Sequence, residues 1–213
     1  RHPSRGLLSA FHFIEVAEES GMIDEMGRIA LREACRTFAR MQASTDQGLQ
    51  LRVNISAREF ARPELLDLVR TALKESGLAP DRLCLEMTET TLMDSPEVAL
   101  ETFQRLHELG VEFAIDDFGT GYSSLTYLKR FPVDAVKIDR GFVEDIVTNN
   151  DSRAIVESIM SLATALALDV VAEGIESEQQ LELLRSLGCE RAQGYLVAGA
   201  LPPDEFVAFI TSA

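Results

Sequence analysis

The segment FAIDDFGTGYSSL (residues 113–125) predicts a buried β-strand that ends in two adjacent acids, a glycine-containing loop and the start of a helix. Side chains alternate across a strand, so Asp116 and Asp117 belong on opposite faces while regular geometry lasts. Asp117 falls at the turn from strand to loop, where alternation no longer has to hold. Gly119 and Gly121 allow backbone angles that other residues avoid, so both carboxylates can serve one site.

The same succession of strand, loop and helix recurs along the chain. Strands are predicted at residues 51–56, 83–89, 112–118, 134–139, 169–175 and 192–196. Helices are predicted before the first strand, with a break at Gly21, and then between Pro63 and Gly77, from Pro96 to Gly110, near 123–130, at about 152–167, from Ser177 to Gly188 and from Pro203. Strict alternation implies a parallel sheet, either doubly wound or a β/α barrel, although a closed barrel of this type uses eight strands.

Composition narrows the class of protein. The chain has 213 residues, of which 46% are hydrophobic, enough for one large domain with a buried core. The longest apolar run, LATALAL at residues 162–168, is far shorter than the roughly 20 residues of a membrane helix. No signal-peptide pattern opens the chain, and the three scattered cysteines fit neither a disulfide framework nor a zinc site. We therefore expect a cytoplasmic domain without a membrane segment.

The net charge of −15 argues against some partners. A DNA or RNA polymer would be repelled, because neutralising its phosphates requires clustered Lys and Arg. A small anionic substrate remains compatible with this charge if bound metal ions cancel the local negative potential.

Polar side chains gather where the predicted strands end. Because the carboxyl ends of the strands of a β/α barrel meet at one rim, we expect these residues to lie around one mouth. They are Asn54, Glu86, Glu89, Asp116, Asp117, Lys137, Asp139, Glu173 and Glu176. Any one such acid is more often a helix cap or a solvated loop residue. Their repetition in strand after strand instead indicates a functional site, because buried charges are costly unless they are paired or bind metal.

The residue types in this set indicate a hard cation. Carboxylate and amide oxygens favour Mg²⁺ or Mn²⁺ over zinc, and His2, His12 and His107 do not have metal-site spacing. Two metal ions that share a carboxylate are a standard means of attacking a phosphodiester, and a lysine among the acids could hold the attacking water.

Six motifs, in this order and spacing, carry a family resemblance: VNIS, LEMTET, AIDDFGTGYSSL, VDAVKIDR, VVAEGIES and AQGYL. Together they closely resemble the EAL domain of bacterial cyclic-di-GMP phosphodiesterases, and the resemblance covers essentially the whole chain. It implies a TIM-like (β/α) barrel and hydrolysis of cyclic-di-GMP to linear pGpG with two Mg²⁺ or Mn²⁺ ions.

The resemblance also assigns metal ligands by position. Asn54, Glu86 and Asp116 match the ligands of a first metal ion. Asp116 is expected to bridge to a second ion near Asp117 and Glu173, and these two residues are also expected to take part in catalysis.

The remaining matched residues have other roles. Lys137 matches the lysine that helps to position the nucleophilic water. Glu89 matches a glutamate that holds the DDFGTG loop in its working conformation. Asp139, Glu176 and Gln193 match positions that contact the substrate.

Two departures from the family pattern stand out. The glutamate of the Glu-Ala-Leu motif, another metal ligand, and two strands of the family's barrel are expected upstream of residue 1. We therefore expect residues 1–213 to form a single EAL domain that is incomplete at its N-terminus, which leaves the activity of the isolated chain open. In GYLVAGALP (residues 194–202), Gly199 and Ala200 stand where many relatives carry a basic residue and a proline.

Two alternatives stay open at this point: a catalytically silent EAL domain that acts as a cyclic-di-GMP receptor, and an unrelated barrel such as an enolase-type lyase. The resemblance also implies a homodimer and regulatory domains in the parent protein.

Overall fold

A parallel β-sheet organises the chain, and the order of strands across the sheet equals their order along the sequence. The computed structural model describes residues 2–6, 8–9, 12–45, 48–89, 96–120 and 130–212. Within these ranges the strands are β1 (Leu51–Asn54), β2 (Leu83–Thr88), β3 (Glu112–Phe118), β4 (Ala135–Ile138), β5 (Asp169–Ala172) and β6 (Arg191–Ala192).

Helices precede the sheet and connect its strands. They are α1 (Ile14–Glu19), α2 (Ile23–Gln42), α3 (Ala57–Phe60), α4 (Leu65–Ser76), α5 (Pro96–Glu108), α6 (Arg140–Glu144), α7 (Asn150–Leu166), α8 (Glu178–Ser186) and α9 (Pro203–Ser212), with a 3₁₀ turn at Pro80–Arg82. The predicted helices are confirmed except the one near 123–130, which lies almost wholly outside the described residues. The short helices α3 and α6 were not predicted.

Local sequence signals explain where several helices begin and end. The Ser56 hydroxyl caps α3 and Glu59 completes a capping box, and Ser177 and Gln180 make the same pair of bonds at the start of α8. Gly77 ends α4 with φ of 72°, a left-handed conformation that glycine adopts without strain.

The core lies between the sheet and its helices. Alternate side chains of the central strands, such as Leu85, Phe113 and Val136, face the helices and are buried. Phe103 of α5 packs against Phe113 with ring centroids 4.2 Å apart. The intervening side chains face the other side of the sheet, where a separate small cluster of Cys84, Ala114 and Ala135 gives way to charged residues toward the strand ends.

The strand order selects between the two predicted architectures. A doubly wound sheet reverses its strand order at a switch point, whereas this sheet runs from β1 to β6 without reversal. The expectation of an α/β, TIM-like partial barrel is therefore confirmed. None of the described helices combines the length and apolar character needed to cross a bilayer.

Candidate metal and catalytic site

A buried lysine lies at the centre of the charged residues at the strand ends. Lys137 of β4 is 3% exposed, and its Nζ lies 2.7 Å from Glu86 Oε2, 3.0 Å from Asp116 Oδ1 and 2.5 Å from Glu173 Oε1. We call these four residues the Lys137 cluster. An ammonium group carries three N–H donors, so each of the three carboxylates can receive one of them.

The strand register explains why the cluster forms. Glu86 pairs with Ala114 across β2 and β3, and Lys137 pairs with Val171 across β4 and β5. Asp116 lies two residues beyond Ala114, on the same face of β3. The polar faces of β2, β3 and β4 therefore each carry a charge near the carboxyl end of the strand, on the side of the sheet away from the helices.

The charges in the cluster alter each other's protonation. Burial alone would lower the pKa of Lys137, but hydrogen bonds to Glu173 and Glu86 outweigh burial and raise it above its ordinary value. Burial raises the pKa of Glu173, and its contact with Lys137 only partly offsets that effect. Three acids thus share one ammonium group.

The paired aspartates reach one place because the strand becomes irregular between them. Asp117 has φ of 52°, and the register between β3 and β4 shifts between Ile115 and Phe118. The backbone N–H of Asp117 donates to Asp116 Oδ1 at 3.1 Å. As a result, carboxylate oxygens of Asp116, Asp117 and Glu173 lie within 4.8 Å of one another.

This triad of acids suits a divalent cation. Burial raises the pKa of Asp117, and the carboxylates of Asp116 and Asp139 raise it further. Such mutual repulsion disappears when a cation lies between the oxygens, and an all-oxygen donor set favours Mg²⁺ or Mn²⁺. The donor chemistry of these residues therefore fits the predicted metal.

Gln193 extends the site beyond β6. Its Nε2 donates to Glu173 Oε1 at 2.6 Å. Gly194 follows, where a Cβ atom would lie 2.2 Å from the carbonyl oxygen of Ile175 and 2.3 Å from its nitrogen. Only glycine allows the two backbone segments this close, and the contact sets the position of Gln193.

The other predicted residues lie around this centre with different surroundings. Asn54 is exposed at the end of β1, in register with Glu86. Asp139 caps α6 by accepting from the N–H of Gly141 at 2.9 Å. Glu176 is half-exposed and pairs with Arg140 at 2.9 Å.

Glu89 differs from the other acids of the set. It is 5% exposed, and within the described part of the chain neither carboxylate oxygen has a hydrogen-bond partner. A buried carboxylate without a partner is costly. The loop that Glu89 is predicted to hold extends into residues 121–129, outside the described ranges.

Arg52 is a charged residue of this site that is absent from the set predicted from the sequence. Arg52 of β1 places Nη1 3.2 Å from Glu86 Oε1. The signal was present, because Arg52 precedes Asn54 by two residues and so shares its face of the strand.

Comparison of the sequence with known proteins identifies a protein family and its members as relatives. The family model described as EAL domain matches residues 1–200. Cyclic di-GMP phosphodiesterase NbdA of Pseudomonas aeruginosa is 46% identical over 202 residues, which are 95% of this chain and 26% of that protein. The bifunctional diguanylate cyclase/cyclic di-GMP phosphodiesterase MucR of the same species is 42% identical over 98% of this chain and 30% of its own length. The chain thus spans less than a third of these two relatives.

Solved structures share the fold. The structure described as PaMucR phosphodiesterase, c-di-GMP complex, has a TM-score of 0.92 and 42% identity, covering 96% of this chain and 83% of that chain. The Xanthomonas citri FimX EAL domain in complex with c-diGMP has a TM-score of 0.86 and 26% identity, covering 93% of this chain and 78% of that one.

Proposed function

The chain belongs to the EAL domain family, and on this premise we propose that it hydrolyses one phosphodiester bond of cyclic-di-GMP to give linear pGpG. The observation that carries the proposal is the Lys137 cluster with its adjoining acidic triad at the carboxyl ends of the strands. Proteins whose names include cyclic-di-GMP phosphodiesterase activity are more than 40% identical to this chain, which supports the choice of substrate.

Two groups of oxygen donors are proposed to hold divalent ions. Asn54, Glu86 and Asp116 would hold one, and Asp116 would share the other with Asp117 and Glu173. A bound pair of Mg²⁺ or Mn²⁺ ions supplies Lewis-acid stabilisation of the negative charge that develops on the phosphodiester and lowers the pKa of a bound water.

Lys137 is proposed to orient the attacking water. Its ammonium group lies between Glu86, Asp116 and Glu173. A divalent ion that took over the oxygens of Asp116 and Glu173 would free N–H donors of Lys137 for this water. An ammonium group has no lone pair with which to accept a proton, so Lys137 acts as a hydrogen-bond donor and not as the base. Lys137 is only 3% exposed, and this burial keeps its ammonium group in a fixed position.

Residues toward the rim are proposed to bind the substrate. Asp139, Glu176 and Gln193 follow the neighbouring strands β4, β5 and β6, so they lie along one side of the mouth formed by the strand ends. Glu89 is proposed to stabilise the loop after Asp117 through its buried carboxylate. We further propose a homodimer in solution, which light scattering can test.

Product analysis tests the proposed function. The full-length domain is incubated with cyclic-di-GMP and Mn²⁺ or Mg²⁺, and the nucleotides are separated and identified by mass spectrometry. We expect pGpG with either metal and none in EDTA. Tight binding of cyclic-di-GMP without formation of pGpG would show that the domain is a receptor and not an enzyme. Absence of both binding and hydrolysis would refute both functions.

A further inference from the structure

Glu86 lies between two cations that occupy different oxygens. Lys137 Nζ is 2.7 Å from Oε2, and Arg52 Nη1 is 3.2 Å from Oε1. The Glu86 side chain is 5% exposed and the Arg52 side chain 22% exposed, so the second contact lies mostly out of solvent. Arg52 approaches from β1 and Lys137 from β4, on opposite sides of β2 and its glutamate.

We propose that Arg52 is a positioning residue that fixes the rotation of the Glu86 carboxylate and so keeps Oε2 directed at Lys137 and the proposed metal site. This role rests on the proposed function, because it acts through Glu86 as a metal ligand. Arg52 itself is not proposed to touch the metal or the substrate.

The torsion of a glutamate carboxylate explains why it needs such a partner. The final torsion of a glutamate is broad, so a carboxylate held at one oxygen alone still rotates. A second bond at the other oxygen defines its plane. Arginine suits this task because its guanidinium group is planar, always charged and rigid in the direction of its donors. Hydrogen-bond partners that orient metal ligands typically contribute 10–100-fold to metal affinity or activity.

Two explanations of the role of Arg52 predict opposite changes in metal affinity when this residue is replaced. If Arg52 acted only through its charge, its positive field would repel a divalent ion, and its removal would tighten metal binding. If Arg52 acts by orienting Glu86, its removal weakens metal binding although a repulsive charge has been lost.

Three variants of the chain test the role: R52M, which removes the guanidinium group, R52K, which keeps the charge, and R70M as a control. Arg70 is an exposed arginine of α4 that pairs with Asp67 at 3.1 Å. Mn²⁺ affinity is measured by isothermal titration calorimetry without nucleotide. Steady-state hydrolysis then gives kcat and KM, and far-UV circular dichroism checks folding.

We expect R52M to weaken Mn²⁺ binding by about 10-fold or more and to lower kcat with little change in KM. R52K should recover part of the Mn²⁺ affinity, and R70M should match the unsubstituted chain. If R52M does not fold, R52K provides the test. The proposed role then requires R52K to bind Mn²⁺ more weakly than R70M does. Unchanged or tighter Mn²⁺ binding by a folded R52M would overturn the role of Arg52 alone. Absence of Mn²⁺ binding by the unsubstituted chain would overturn this role together with the proposed metal site.

Discussion

Lys137 and Glu86 form a 2.7 Å ion pair although β3 lies between their strands. Adjacent strands are about 4.8 Å apart, so residues two strands apart are separated by roughly twice that distance along a flat sheet. The contact forms because the long side chains of Lys137 and Glu86 converge on the same face of the sheet. Asp116 of β3 completes the group between them.

Replacing Lys137 by methionine should destabilise the metal-free chain and abolish most activity. K137M leaves Glu86 without its 2.7 Å partner and Glu173 without its 2.5 Å partner. Removing one member of a buried ion pair costs about 3–5 kcal/mol of unfolding free energy. Loss of one oriented donor lowers kcat about 10²–10³-fold. Urea titration in EDTA and hydrolysis assays measure the two effects.

Lys74 is the matched control, because it is an exposed lysine near the end of α4. K74M should leave both stability and rate close to those of the unsubstituted chain. A K137M variant with normal stability would show that the carboxylates do not need the ammonium group.

The ionised Asp117 side chain should destabilise the folded, metal-free chain. Burial and the charges of Asp116 and Asp139 raise its pKa, so ionisation is harder in the folded chain than in the unfolded chain. Stability is therefore lost as the pH rises through the interval from the ordinary value of 3.8 to the raised pKa. D117N removes this loss, and asparagine tolerates the positive φ at this position.

The expected result is a higher Tm for D117N than for the unsubstituted chain in EDTA at pH 8. The difference should shrink as the pH falls below the raised pKa, where Asp117 is protonated. The stabilisation produced by Mn²⁺ should be smaller in D117N. The exposed Asp81 offers the control D81N, which should show none of these changes. A lower Tm for D117N at pH 8 would contradict the repulsion.

Gly194 should tolerate no side chain. An alanine Cβ would lie 2.2 Å from the carbonyl oxygen of Ile175, which accepts from the N–H of Leu196 at 3.0 Å. Relief requires the backbone beside Gln193 to move, so we expect G194A to lose roughly 1–3 kcal/mol of unfolding free energy and much of its activity. In contrast, G199A meets nothing closer than Tyr195 Cε1 at 3.7 Å and should behave normally. Equal thermal stability of the two variants would count against the close approach.

The sequence predicted the parallel sheet because short apolar, strand-like runs alternate strictly with helical segments. Strand β3 was predicted with the bounds that the structure has, Glu112–Phe118. The predicted bounds of the last strand were wrong. Residues 192–196 were predicted, whereas β6 is Arg191–Ala192, because the backbone after Gln193 bonds to Ile175 and turns away. Helices α3 and α6 have four and five residues, too few to show a helical period.

The sequence predicted which charged residues lie at the strand ends but not the contacts between them. Alternation along each strand placed Glu86 and Lys137 on one face, yet their meeting across β3 depends on how the side chains converge. The same holds for Arg52, whose partner is on another strand. The conformation of Asp117 depends on the register shift between β3 and β4, which no local pattern encodes.

The most direct test of the central claim is the rate of pGpG formation by D116N relative to the unsubstituted chain in saturating Mn²⁺, with D81N as control. Asp116 belongs to both the Lys137 cluster and the acidic triad, so one substitution affects both. We expect a rate at least about 10²-fold lower for D116N and an unchanged rate for D81N. A D116N rate close to that of the unsubstituted chain would contradict the claim that these acids perform the hydrolysis.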